Sequence, residues 1–551
     1  MAAHMDLVYQ FIDATTAPLT QLLLLFVVPL MLLQLLLHIT SRSPKPPKKK
    51  PLPPSPPALP VIGHLLLVGD HPHVSLRDLA AKHGGGSCGL MLLRLGTVPN
   101  LVVSSPGAAR AVMRTHDHVF ASRPASTIVD GLVYGSSSVA FAPYGEYWRQ
   151  ARKLVTTHLL TVRKVQSYHV ARHEEVRLVI GKLREAAAVG AEVDMSEMMN
   201  AFANDIICRA VCGKFFRAEG RNKLFRELNH LTTALIAGFN LEDYFPRLAN
   251  SVGLLFTRFM SNKVNQTHKK WDKLLEEIIR DHERRKGSEH GHGRGGGAAE
   301  QEESDFIDVM LTVQQEYGIT RDHIKAILMD MFEAGTATSS LVLEFAMVEL
   351  LRNPHLMAKL QAEVRKKTPK GQEMVKEENL ADMVYLRAVV KETLRLHPPV
   401  PLLVPHRSMA DCDIDGYTIP SGTRVIVNSW AICRDPKSWE KAEEFMPERF
   451  MDGGSAADID FKGNDFQFTP FGAGRRMCPG VNFGLATISI MLANLMYCFD
   501  WTLPGAMKKE DIDMTEVFGL TVHRKEKLIL VPKLHGTSAQ PMKPEAGSIK
   551  L

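Results

Sequence analysis

Apolar residues run almost unbroken from Leu19 to Ile39, recur at helical spacing through most of the remaining chain, and cluster in β-branched form only in short stretches. The first run, LTQLLLLFVVPLMLLQLLLHI, at about 1.5 Å rise per residue roughly spans a hydrocarbon core of about 30 Å, and predicts a transmembrane anchor. A cleaved signal peptide is the competing reading. It calls for a shorter apolar core, basic residues before it and a small-residue cleavage site after it. Here Asp6 and Asp13 precede the run, while Arg42, Lys45, Lys48, Lys49 and Lys50 follow it, so the positive-inside tendency places the C-terminal side in the cytosol.

Beyond the anchor, KPPKKKPLPPSPPALPVIG is too rich in proline for a helix or a central strand and is expected to be an extended, stiff spacer. The chain accordingly divides into an anchor (1–41), a basic proline-rich hinge (42–63), one folded domain (64–535) and a tail (536–551). Within the domain most segments read as amphipathic helices, and NLVVS (Asn100 to Ser104) and TRVIVN (Thr423 to Asn428) read as strands. The fold class is therefore mainly α with small β-sheets. Lys286 to Ser304, Gly-rich and charged, reads as a mobile surface loop whose His290 and His292 are solvated linker residues.

One long helix is well marked. Thr320 is its N-cap, Ile324, Ile327, Met331, Leu341 and Phe345 keep helical spacing, and Pro354 stops it. Gly335, Thr336 and Thr338 fall near its middle. They fit either a loosened ladder with a local bulge or a close helix packing at Gly335.

Composition narrows the chemistry only slightly. An excess of 66 Lys and Arg over 60 Asp and Glu gives a formal charge of +6, part of it in the hinge, and implies no nucleic-acid partner. Seven scattered cysteines without CxxC spacing disfavour both a disulfide framework and a structural zinc site. A reducing, cytosol-facing domain follows.

The decisive stretch is Phe471-Gly-Ala-Gly-Arg-Arg-Met-Cys478-Pro-Gly480, followed by an apolar helical run from Val481 to Tyr497. A cysteine before a helix, with Arg475 and Arg476 nearby, sits where amide N–H groups and positive charge favour thiolate, the form a metal requires. Gly472, Gly474 and Gly480 allow positive φ and close approach of a large planar group. By itself, a cysteine in a glycine-rich loop is more often simply buried.

F-x-x-G-x-R-x-C-x-G, present here at every fixed position, resembles the haem-binding signature of the cytochrome P450 superfamily. The resemblance implies haem b (iron protoporphyrin IX) with Cys478 as axial ligand, and Arg476, Phe471, Gly472 and Gly480 around the cofactor. It extends over most of the chain beyond the hinge. Glu392 and Arg395 in KETLR resemble the family's ExxR pair, joined in relatives by an arginine matching Arg449 of Pro447-Glu-Arg-Phe450. Trp148 and Arg152 match the W-x-x-x-R helix that contacts a haem propionate. Ala334-Gly-Thr-Ala-Thr338-Ser339 resembles the oxygen-activation motif A-G-x-[DE]-T-[TS], which makes Gly335, Ala337 and Thr338 the catalytic positions. Ala337 departs from that motif, because an acid is usual there, and Glu333 lies about one turn earlier. His406 stands where relatives commonly place a propionate-binding arginine, with Arg407 next to it as a substitute.

The hinge, the PERF segment and the motif spacing look like a plant microsomal enzyme: single-pass in the endoplasmic reticulum membrane, catalytic domain toward the cytosol, electrons from NADPH-cytochrome P450 reductase. DMFEAG, LLVPH, VNSWAICRDP and the segment FDWTLPGAMKKEDIDMTEVFGLTV resemble grass monooxygenases that act on indole and its oxidised derivatives in benzoxazinoid (DIBOA) biosynthesis. The resemblance implies a small indole-type substrate. A terpenoid or phenolic substrate, a haem-thiolate isomerase or dehydratase that uses no dioxygen, and a non-catalytic haem carrier are the alternatives.

Overall fold

The computed structural model describes residues 50–84, 88–238, 240–291 and 304–536. The apolar run Leu19 to Ile39, most of the Gly-rich loop and all but the first residue of the tail lie outside them. The helices that frame the site are α1 (Glu146–Leu154), α2 (Met195–Cys212), α3 (Arg221–Ala237), α4 (Pro246–Gly291), α5 (Arg321–Arg352), α6 (Val384–Leu396) and α7 (Val481–Cys498). A four-stranded sheet lies to one side of them. Its strands β1 (Leu90–Leu95), β2 (Val98–Val103), β3 (His406–Arg407) and β4 (Arg424–Val427) are ordered β1-β2-β4-β3. β2 runs parallel to β4 with Asn100 opposite Arg424, and β3 pairs antiparallel with His406 opposite Val425. Three smaller sheets complete a helix-rich fold, as the hydrophobic pattern predicts.

α5 begins where the sequence places it. The Thr320 hydroxyl accepts the His323 amide at 3.2 Å while His323 Nδ1 accepts the Thr320 amide at 3.2 Å, so two otherwise orphaned donors are satisfied. The helix ends at Arg352, and Pro354 opens the next one. Ile324, Ile327, Met331, Leu341 and Phe345 are all buried. α5 and α7 are long and apolar enough to cross a membrane, but 78% and 67% of their most apolar windows are buried against the rest of the domain, which makes them core helices. α4 continues through Gly291, so the first residues of the predicted loop at Lys286 are helical instead. The described part of the proline-rich segment is extended and docked. Pro54 and Pro51 accept hydrogen bonds from the Leu92 and Thr418 amides at 2.8 and 3.0 Å.

On α6, Glu392 and Arg395 share one face, as an i,i+3 pair must. Such pairs usually lie on the surface; this one is fully buried together with Arg449. Arg395 Nε and Nη2 donate to the two Glu392 oxygens at 2.8 and 2.9 Å. Arg449 Nε (3.1 Å) and the Met446 amide (2.8 Å) donate to the same carboxylate. The remaining guanidinium donors hold the main-chain carbonyls of Cys433, Ala442, Glu444 and Glu440. Removing one member of such a network leaves buried charge uncompensated, which costs about 3–5 kcal/mol. Glu392→Ala should therefore destabilise the fold by an amount in that range, read as a lowered denaturant midpoint of unfolding by circular dichroism.

Candidate haem site

Cys478 sits in an irregular loop, its amide donating to the Phe471 carbonyl at 3.0 Å, two residues before the N-cap of α7. Gly472 and Gly474 have φ of 68° and 67°. At Gly474 a Cβ would lie 2.1 Å from the Met113 carbonyl oxygen, so glycine is required there. Gly480 has an ordinary φ of −87° and serves as the N-cap of α7. Its amide bears on the Cys478 sulfur. Burial pushes the Cys478 thiol up, and the Gly480 amide and the Arg152 charge offset only part of that rise. A metal bound to the sulfur would remove the proton outright.

The positive charge near Cys478 is thus not the one that sequence proximity suggests. Arg475 turns outward, with Nε on Asp117 at 2.9 Å and Nη1 on the Tyr144 hydroxyl at 2.7 Å. Arg476 donates to the carbonyls of Ala121 (2.7 Å), Ala142 (2.6 Å) and Val139 (3.3 Å) and stacks 4.1 Å from the Trp148 ring. Arg152, brought in by α1, donates to the Met477 carbonyl at 2.6 Å, next to the cysteine. Trp148 is on the same face of α1, four residues earlier, and gives its indole N–H to Val139 at 3.0 Å.

A third guanidinium, Arg123, joins this group without any motif to announce it in the sequence. It is buried, and it donates to the carbonyls of Ala140 (3.0 Å), Val404 (2.6 Å) and Pro405 (3.0 Å). Burial and then the charges of Arg476 and Arg152 hold Arg123 well below the usual arginine range. Burial and then Arg152 bring Arg476 down to about 9. Among the described residues the polar partners of these three are main-chain carbonyls, and the nearby acid Asp117 is taken by Arg475. Three like charges crowded together, with no carboxylate bonded to any of them among the described residues, suit an anionic group, and a guanidinium binds carboxylate well.

His406 and Arg407 part company because successive residues of a strand face opposite ways. His406 is buried, and its Nδ1 donates to the Phe120 carbonyl at 2.8 Å. Burial and then Arg123 depress it to about 3, so it is a neutral imidazole whose Nε2 is an acceptor. Arg407 is exposed on the opposite face and does not join the cluster.

α5 supplies the other wall. It is continuous through Gly335, and a Cβ at Gly335 would meet the Ile207 side chain of α2 at 2.9 Å, which resolves the open alternative in favour of close packing. Thr336 and Thr338 turn their hydroxyls back onto Phe332 (2.8 Å) and Ala334 (2.6 Å). Although the helix is buried on both sides, Ala334 is exposed and Ala337 and Thr338 are half-buried, so an accessible face opens at its middle.

The chain belongs to the cytochrome P450 family: the family model of that name matches residues 53–531. The chain is 56% identical over 475 residues to indole-2-monooxygenase of Zea mays, across 86% of each chain. It is 53% identical over 482 residues to indolin-2-one monooxygenase and 51% identical over 499 residues to 3-hydroxyindolin-2-one monooxygenase of the same plant, with 86% and 90% of this chain and 88% and 91% of those proteins covered. A solved zebra fish cytochrome P450 with abiraterone superimposes at a TM-score of 0.67 and 25% identity, covering 85% of this chain and 100% of that one. The protein is a cytochrome P450 monooxygenase and its cofactor is haem.

Asp330 of α5 connects the two walls. Its Oδ2 accepts the Val139 amide at 2.6 Å, and the Ser138 hydroxyl and Ala140 amide also bear on the carboxyl. The loop it holds provides the carbonyls that orient Arg123, Arg476 and Trp148. Burial lifts Asp330 from 3.8 to about 7, so the folded protein keeps a proton that the unfolded chain loses. A raised carboxyl contributes most to stability below its unfolded value and progressively less as pH rises toward its folded value. The unfolding midpoint of Asp330→Asn should therefore rise relative to wild type between pH 4 and 7. A pH-independent difference in thermal scans would contradict this.

Proposed function

We propose that this enzyme inserts one oxygen atom of dioxygen into an indole or indolin-2-one type substrate of benzoxazinoid biosynthesis, using electrons delivered by NADPH-cytochrome P450 reductase. The observation that carries the substrate class is the extent of likeness to three enzymes whose names all specify an indole skeleton. Residues 1–41 anchor the chain as a single pass in the endoplasmic reticulum membrane, the proline-rich residues 42–63 are the spacer between membrane and domain, and the domain faces the cytosol.

Cys478 would hold the haem iron through its sulfur, which the Gly480 amide and the Arg152 charge bear on. Arg123, Arg152 and Arg476 would receive the propionates, with Trp148 and His406 shaping their surroundings; Phe471, Gly472 and Gly480 line the loop. When bound, haem with a thiolate ligand activates dioxygen and favours O–O cleavage. The protein's own contribution on the opposite wall is proton handling. The Thr338 hydroxyl proton rests on the Ala334 carbonyl, which leaves the Thr338 oxygen lone pairs to order a water at the accessible face of α5. Gly335, by admitting Ile207 of α2, keeps the far side of the helix dry.

The reading is tested with full-length protein in membranes containing the reductase, incubated with NADPH and a panel of indole derivatives under air and under argon. Product that needs both air and NADPH is expected. No turnover of any indole-type compound overturns the substrate class. Cys478→Ser should abolish the thiolate-type absorption of the reduced, carbon-monoxide-bound protein, and its retention would overturn the ligand assignment.

Ala337 leaves the proton relay to Thr338 and water. Loss of one relay group corresponds to about one to two factors of ten in rate, at about 1.4 kcal/mol each. Ala337→Asp should raise both turnover and product formed per NADPH. A tightly coupled wild type, or an aspartate variant with unchanged haem content and lower coupling, would show that Ala337 merely packs.

A further inference from the structure

One acid on α5 has no part in the haem site as described. Glu333 lies four residues before Ala337, which places it on the same side of the helix about 6 Å along the axis. Asp330, three residues earlier, is occupied with the Val139 amide. Glu333 is half-buried, at the boundary between the accessible face around Ala334 and the face packed on α3. Its Oε1 is shielded from solvent and has no hydrogen-bond partner among the described residues.

The group that bears on this carboxyl from α3 is the Thr232 hydroxyl. Thr232 is in turn fixed, because its oxygen accepts the Trp271 indole N–H at 2.9 Å and its proton is thereby directed toward Glu333. The carboxyl is therefore oriented by Thr232, and its Oε1 is left without a partner. A buried acceptor without a partner carries a desolvation cost that a ligand donor removes. Burial and then the Asp330 carboxyl lift Glu333 to about 8, so at neutral pH it is largely a carboxylic acid, with one O–H donor and one free acceptor.

We infer that Glu333 is a specificity-determining residue whose carboxyl hydrogen-bonds the ring N–H of the substrate. The inference rests on the indole-type reading above and adds the group that recognises the nitrogen. The neutral acid offers an acceptor to the N–H and a donor to an adjacent carbonyl, so an indolin-2-one, with N–H and C=O side by side, is matched at two points. A hydrocarbon of the same shape leaves the carboxyl unsatisfied and is disfavoured for that reason.

The test uses full-length haem-loaded protein and spectral binding titrations with indole, 1-methylindole, indolin-2-one and 1-methylindolin-2-one. Wild type should prefer each N–H compound over its N-methyl partner by about tenfold. Glu333→Leu should reduce that ratio to about one, and Glu333→Gln, close in size, should retain part of it. The ratio in wild type needs no variant to fold, so a ratio near one already overturns the inference. A full ratio retained in Glu333→Leu overturns it as well, and leaves the Asn229 side chain, whose Oδ1 is also unpartnered, as the internal partner of Glu333. In both of those cases the substrate class stands if the N–H compounds are bound and oxidised. Failure of wild type to bind or oxidise any of the four overturns both.

Discussion

The carboxylate of Glu392 is the point on which the irregular half of this structure depends. A buried ion pair is stable only when the remaining lone pairs and N–H groups are also satisfied, and here four donors converge on one carboxylate while two guanidiniums spend their other donors on main-chain carbonyls. Those carbonyls belong to a stretch between β4 and the cysteine loop that has little regular secondary structure of its own. Without hydrogen bonds from a ladder, that stretch needs side chains to hold it. Arg395 and Arg449 do so, and the Trp439, Phe450 and Phe468 rings pack around them at 5.4–5.9 Å from one another.

The same physics with the opposite balance defines the arginine cluster beside Cys478. Arg123, Arg152 and Arg476 have their donors directed by carbonyl oxygens, which orient a guanidinium but leave its charge in place. Glu392 completes one cluster from within the chain; among the described residues no carboxylate pairs with the guanidiniums of the other, and Asp117 is taken by Arg475. Asp330 ties this second cluster to α5, because the loop whose carbonyls face the arginines is itself held by that helix.

α5 combines three demands in one segment. Gly335 lets α2 approach, the hydroxyls of Thr336 and Thr338 are satisfied within the helix, and the accessible middle opens from an otherwise buried element. Two acids near that opening have raised protonation midpoints because burial disfavours the charged form. Asp330 spends its carboxyl on the scaffold. Glu333 is left with an unsatisfied oxygen.

The sequence by itself determined what is local. The cysteine loop, the Glu392–Arg395 spacing, the Trp148–Arg152 helix and both ends of α5 are written in neighbouring residues, because caps, helix faces and turn glycines act within one or two turns. It also placed the two strands near the site and the helical majority of the chain. Only the tertiary structure decided which charges meet. Arg123, followed by a proline in an extended segment, carries no periodic mark and joins Arg152 and Arg476 solely because distant segments converge. Arg475 shares the loop with Cys478 and is close to it in sequence, yet Asp117 and Tyr144 draw its side chain away from the sulfur. Burial of the Glu392 pair, the depressed His406 and the raised Asp330 and Glu333 depend likewise on what surrounds each group, and exclusion of water is a property of the packed whole that no segment specifies alone.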